Sequence, residues 1–220
     1  MNEWSYRALE RIFELVSRLG LPLIVAAWLL TAITTAVMVL VLKRTRLSDV
    51  LLPSLIVGFL SLAAHLFDYA GTLRISPDLA VEANPIWRIV VERLGLTVAR
   101  WYGLTGKIML SALSFEFFAY YLTGRSRLLP ETARGFFDFW KKYGQRSSSG
   151  TRLANFFAFL FSLIGPFCFY IALLNALSDS RYYDRMPAMP IALVAYITVL
   201  VVLYLVGNFI SWRRAGLKTP

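Results

Sequence analysis

Six polar residues in an otherwise apolar part of the chain have types and spacing that suit a chemical site. They are His65, Asp68, Thr72, Glu82, Asn84 and Lys107. Carboxylate, amide and imidazole groups can hold a hard cation such as Mg²⁺, and a lysine can pair with phosphate. The predicted metal ligands are His65, Asp68, Glu82 and Asn84. Ionisable groups at membrane depth are costly and mark functional positions, so we expect the protein to work here.

The composition predicts a membrane protein. Of the 220 residues, 58% are hydrophobic and 16% charged, and the mean hydropathy is +0.60. These values predict an all-α, polytopic helical protein with a single membrane domain over 1–220. The net charge of +10 does not indicate nucleic-acid binding, because the basic residues flank apolar segments and no recognition motif accompanies them. Cys168 is the only cysteine, which excludes a disulfide framework.

Five segments are long and apolar enough to cross a bilayer, which takes about 20 residues each. We predict spans at 21–42, 50–73, 100–122, 153–177 and 186–212. The amphipathic segments 1–20 and 130–143 predict helices on the membrane surface, with partner binding as the alternative. Asn84 before Pro85 predicts a short outer-face helix over 85–94 that Gly95 ends, and residues 147–150 are typical of a flexible linker.

The distribution of basic residues predicts the orientation. Five spans place the two termini on opposite faces. One predicted face has thirteen lysines and arginines. The other has nine, together with eight acidic residues that reduce its net positive charge. The positive-inside rule assigns the first of these faces to the cytoplasm. We therefore predict a multi-pass protein of the cell membrane with its N-terminus outside and its C-terminus in the cytoplasm.

The second predicted span carries one continuous stripe of small and polar residues. The stripe residues are spaced 4, 3, 4, 3 and 4 apart, as Ser54, Gly58, Ser61, His65, Asp68 and Thr72. Small residues let a neighbouring helix approach closely, so the stripe faces protein rather than lipid. Lys107, Ser111 and Ser114 repeat the pattern on the third span. Lys107 lies near the depth of Asp68, its expected partner, whereas Glu116 lies outside this cluster.

Part of the chain resembles a known pattern. The arrangement Asp68-x3-Thr72, then Glu82-x-Asn84-Pro85, then Lys107 resembles the signature of an uncharacterised family of small prokaryotic polytopic membrane proteins. That family pairs D-x3-T at the end of one span with E-x-N-P in the next loop and a lysine in the following span. The resemblance covers about residues 65–107. It implies a polar site and no particular reaction.

The residues leave several functions open. The chain has no H-E-x-x-H, G-x-S-x-G, Walker or G-x-G-x-x-G motif. The sequence predicts an outward-facing site that handles a lipid, an anionic ligand or a cation, with metal-dependent lipid-phosphate chemistry as its enzymatic form. The candidate catalytic residues are Asp68, Glu82 and Lys107, and the further polar site residues are Thr72, Ser61 and Ser111.

Two other functions fit the same residues. One is ion- or proton-coupled transport by an oligomer. The other is a structural or assembly subunit whose polar stripe only packs helices. The expected partners are membrane lipids and either further copies of the chain or a larger membrane complex, without nucleic acid.

Overall fold

The structure, a computed structural model, describes residues 26–44, 48–79, 85–169 and 188–214. Within these ranges it contains helices and no strands, which confirms the all-α prediction. The helices are α1 (Ala26–Arg44), α2 (Ser48–Ile75), α3 (Pro85–Arg125), α4 (Phe136–Lys142), α5 (Ser149–Ser162) and α6 (Ala188–Arg214). The helix predicted over 1–20 lies outside the described residues, as do parts of the first, fourth and fifth predicted spans.

Four of the helical segments are long and apolar enough to cross a membrane: α1, α2, α5 with its continuation to Phe169, and α6 from Ile191. Large apolar side chains cover their outward surfaces. Leu30, Phe59 and Ile191 are 63%, 67% and 73% exposed. Surfaces of this kind are rare in water and ordinary against lipid tails. The architecture is therefore that of a helical membrane protein.

Helix α3 contains the third predicted span. It is less apolar than the other four segments because it carries Lys107 and Glu116, and its membrane crossing stays a prediction. It packs against both α2 and α5. This position makes α3 the central helix of the described bundle.

The structure contains a helical segment where a short helix was predicted over 85–94, as the first part of α3, and the position of that segment on the outer face stays a prediction. Gly95 adopts φ 83° and ψ 165°, a left-handed conformation that favours glycine and breaks the helix there. The first part folds against the bundle, since the Trp87 ring stacks on Tyr69 with 5.9 Å between centroids. Trp87 Nε1 also donates to the Ala99 carbonyl at 2.6 Å. This end of the molecule, where α2 ends and α3 begins, is called the Asp68 end below.

The opposite end collects the termini of five helices and is called the basic end. Arg44 ends α1, Arg125 ends α3, and Arg214 ends α6, while α2 and α5 begin there. The segment that joins α3 to α5 packs against α6. Phe139 in this segment is fully buried, and its ring contacts Phe209 and Trp212. The surface of the segment carries the exposed pair Glu131–Arg146, and the Arg146 guanidinium lowers the pKa of the Glu131 carboxyl.

Two predictions at the basic end were wrong in extent. The helix predicted over 130–143 covers only Phe136–Lys142, because Gly135 is extended and Asp138 accepts hydrogen bonds from the Arg134 N–H and from Lys142. The run 147–150 is not a linker. Ser148 is the N-cap of α5 and accepts from the Thr151 N–H at 3.1 Å, so α5 begins at Ser149 rather than at the predicted Leu153.

A buried polar network joins α3, α5 and α6 near the basic end. Asn155 on α5 donates from Nδ2 to the Tyr121 carbonyl at 2.9 Å. Tyr204 on α6 donates to Asn155 Oδ1 at 3.3 Å, and its hydroxyl lies 3.0 Å from that of Tyr143. All four side chains are buried. Hydrogen bonds between spans hold helices together where hydrophobic driving forces are weak.

Replacing Asn155 with leucine is expected to destabilise the bundle. The change removes the hydrogen bonds of Asn155 to the Tyr121 carbonyl and the Tyr204 hydroxyl, each worth about 0.5–1.5 kcal/mol. Thermal unfolding of the purified chain in detergent measures the effect. Thr198→Val is a matched control, because the Thr198 hydroxyl bonds only its own helix at Val194. An unchanged melting temperature in Asn155→Leu would contradict the structural role of the network.

Candidate membrane-embedded polar site

The stripe predicted on the second span faces protein. Ser54, Ser61, His65 and Asp68 are all buried on α2, toward α3. Gly58 permits the close approach, since a Cβ at this position would lie 3.1 Å from Phe115 Cβ. The helical period of the stripe therefore positions its polar outer half against Lys107.

An ion pair forms the centre of the site. Lys107 Nζ on α3 donates to Asp68 Oδ2 on α2 at 2.6 Å, which is the partner that the sequence predicted. The Lys107 side chain is 19% exposed and the Asp68 side chain 13%, so the pair is largely buried but still accessible from outside the bundle. Pairing offsets the cost of two charges at this depth, and removing one partner would leave the other uncompensated.

His65 lies one helical turn before Asp68 and lacks a hydrogen bond where one is needed. The side chain is 5% exposed, and its Nδ1 atom is buried without a partner in the described part of the chain. Nearly all buried polar atoms in proteins have partners, and each exception calls for an explanation, such as strain, a functional role or a bound water or ion. His65 is therefore the feature of the site that packing alone does not explain.

The serines of the site are used for packing. Ser61 and Ser114 hydroxyls lie 3.0 Å apart and connect α2 with α3. Ser111 donates to the Lys107 carbonyl at 2.8 Å, within its own helix. Thr72 lies one turn beyond Asp68 and is half-buried, with its carbonyl accepting the Ser76 N–H. Among the predicted residues described here, unused hydrogen-bonding capacity remains at the side chains of His65, Asp68 and Lys107 and at the Thr72 hydroxyl.

A break in the fourth span contributes a residue that sequence reasoning missed. After α5 ends, residues 163–166 form a turn because Pro166 has no N–H to continue the helix. Tyr196 on α6 donates to the Leu163 carbonyl in this turn. Gly165 lies against α2, since a Cβ there would be 1.9 Å from Ser61 Oγ and 3.3 Å from His65 Nε2. The adjacent Gly165 and Pro166 inside an apolar segment are the sequence signal for such a break.

The predicted metal site is only partly described. Glu82 and Asn84 lie outside the described residues, so their assignment as ligands stays a prediction. Among the residues that the structure does describe, no three histidine, cysteine, aspartate or glutamate side chains converge to hold a metal ion. His65 and Asp68 are the two predicted ligands that the structure brings together.

Comparison with known proteins yields no relative from which a function can be transferred. No protein-family model matches the chain, and no curated protein or solved structure is similar to it.

Proposed function

We propose that this integral membrane protein binds an anionic ligand, such as the phosphate headgroup of a lipid, at the site of His65, Asp68 and Lys107. The observation that carries the proposal is the buried and unpartnered Nδ1 of His65 beside an incompletely sealed ion pair. An Asp68–Lys107 pair that served only to pack α2 on α3 would not need a buried histidine without a hydrogen-bond partner beside it.

The hydrogen-bonding capacity left in the site matches a headgroup. Lys107 has three N–H donors and uses one of them, on Asp68, within the described chain. Asp68 accepts through Oδ2 and has no described partner at Oδ1. An oxyanion would occupy the spare donors of Lys107, while a hydroxyl or protonated oxygen of the ligand would donate to His65 or Asp68.

The proposed orientation opens this site to the outside of the cell. The basic end carries the larger group of lysines and arginines and would face the cytoplasm, with the C-terminus on that side. The Asp68 end and the N-terminus would then face outward. A ligand would reach the site from the outer leaflet or from the medium beyond it.

Thermal unfolding with a defined lipid tests the proposal. The full chain in an uncharged detergent is titrated with short-chain phosphatidic acid and, separately, with short-chain phosphatidylcholine. We expect phosphatidic acid to raise the melting temperature, since a ligand at 100 times its Kd stabilises by about 2.7 kcal/mol. Lys107→Gln should lose the response, whereas the exposed Lys141→Gln should keep it. Equal responses to both lipids, or a full response in Lys107→Gln, would reject the site.

Coupled transport is a second candidate, which the break in the fourth span favours. Interrupted helices beside a polar site at membrane depth are a feature of transporters, where they allow the two halves of a span to move. Here the break lies at 163–166, and Gly165 contacts the site. Transport would require uptake of a labelled anion into vesicles containing the chain, and Pro166→Ala should slow that uptake while binding persists.

A further inference from the structure

Helix α1 meets α3 at a second polar cluster that the proposed site does not use. Thr35 on α1 donates to Oε1 of Glu116 on α3 at 2.5 Å. The Thr34 hydroxyl lies 2.7 Å from the same oxygen and 3.0 Å from the Thr31 carbonyl, which shares its one proton. Glu116 is half-buried and lies nine residues from Lys107, about 13 Å along the helix. The cluster is therefore separate from the ion pair at the Asp68 end, as the sequence predicted for Glu116.

The cluster lies away from the ends of α1 and α3, and in it Thr34 is exposed while Thr35 and Glu116 are half-buried. Glu116 is nine residues before Arg125, which ends α3, and Thr35 is nine residues before Arg44, which ends α1. Both counts place the cluster about 13 Å inside the basic end. With α3 crossing the membrane as predicted, the cluster would lie close to the middle of a hydrocarbon core about 30 Å thick. A carboxylate at this depth is costly and calls for a compensating charge.

No described side chain supplies that charge. Within the described residues, Glu116 forms no salt bridge, and its Oε2 atom accepts no hydrogen bond. The two hydroxyls occupy one carboxyl oxygen, Oε1, and leave Oε2 open to a ligand. The cluster thus combines one carboxyl group, two hydroxyl oxygens and a carboxyl oxygen without a described partner, on the side of the bundle.

We propose that Glu116, Thr34 and Thr35 bind a monovalent metal cation such as Na⁺. Hard cations take carboxylate and hydroxyl oxygens as ligands, and this cluster offers both. A single positive charge would neutralise the site, whereas a divalent ion would leave an excess charge in apolar surroundings. The cation site is independent of the anion site at Lys107, and either one can exist without the other.

Carbodiimide labelling tests the cation site. Carbodiimides modify protonated carboxyl groups in apolar surroundings, and a bound cation keeps the carboxylate from reacting. The full chain is purified in choline chloride and labelled at increasing NaCl, with choline chloride holding the ionic strength constant. Mass spectrometry locates the labelled residue. The Glu116→Gln variant, which has no carboxyl group at this position, should lose that label. We expect Glu116 to be labelled without Na⁺ and progressively protected by Na⁺.

Two valine variants make the test specific. Thr35→Val removes a ligand and should raise the Na⁺ concentration for half-protection about tenfold. Thr31→Val should leave it unchanged, because the Thr31 hydroxyl donates to Ala27 of its own helix. The proposal fails if Glu116 is not labelled or if its labelling does not depend on the Na⁺ concentration. It also fails if both valine variants change the Na⁺ concentration for half-protection equally.

Discussion

Gly165→Ala is expected to lower the melting temperature of the chain by roughly 4–8 °C, the shift that about 2 kcal/mol produces in a protein of this size. The new Cβ would lie 1.9 Å from Ser61 Oγ and 2.9 Å from Ser61 Cβ. Rotating the Ser61 hydroxyl away would break its 3.0 Å contact with Ser114 and would leave the Cβ contact in place. The fourth span would therefore have to move away from α2.

Thermal unfolding in detergent measures this effect, and Gly207→Ala is the matched control. Gly207 lies inside α6, and a Cβ there would meet nothing within 4 Å, so its replacement should be neutral or stabilising. The double change Ser61→Gly and Gly165→Ala removes the atoms that the new methyl group would strike and should recover part of the loss, less the cost of a glycine inside α2 and of the lost Ser114 contact. Equal melting temperatures for Gly165→Ala and wild type would contradict the packing of this turn on α2.

Lys107→Leu is expected to destabilise the chain by on the order of 3 kcal/mol, because it leaves the Asp68 carboxylate largely buried without its 2.6 Å partner. The double change Asp68→Leu and Lys107→Leu should recover most of that loss, since two apolar side chains pack without an unpaired charge. Chemical or thermal unfolding of the two variants and wild type gives the comparison. Near-equal stability of single and double variants would mean that the pair does not exist.

The exposed pair Glu131–Arg146 provides the control for this cycle. Both side chains are more than two-thirds exposed, so water and salt screen the pair. Arg146→Leu should produce no measurable change in melting temperature, and adding Glu131→Leu should recover nothing. If the double variant of the exposed pair regained as much melting temperature as that of the buried pair, the effect at Asp68 could not be attributed to burial.

The ion pair was predictable because it follows from local periodicity. Asp68 lies on the stripe with His65 and Ser61, and a helix of known rise places Lys107 at a matching depth on the next span. The short helix that ends at Gly95 was predictable from its proline and glycine in the same local way. Such inferences need only the geometry of one or two adjacent helices.

The contacts of Gly165 and Asn155 were not predictable because they depend on how distant spans pack. The sequence shows that Gly165 and Pro166 interrupt an apolar segment, but not that α2 lies against the interruption. Likewise Asn155 has no sequence neighbour that marks Tyr204 as its partner. The linker predicted over 147–150 failed because Ser148 is as good a helix cap as it is a linker residue, and the tertiary structure decides between the two.

The most direct test of the binding site is an experimental structure of the full chain in a lipid bilayer, at a resolution that shows ordered waters and headgroups. We expect density that belongs to no protein atom within hydrogen-bonding distance of Lys107 Nζ, with His65 Nδ1 bonded to it or to a water beside it. Phosphatidic acid in the bilayer should strengthen that density. A dry Lys107–Asp68 pair, enclosed by apolar side chains with nothing bonded to His65, would show that the stripe only packs helices and would contradict the proposed function.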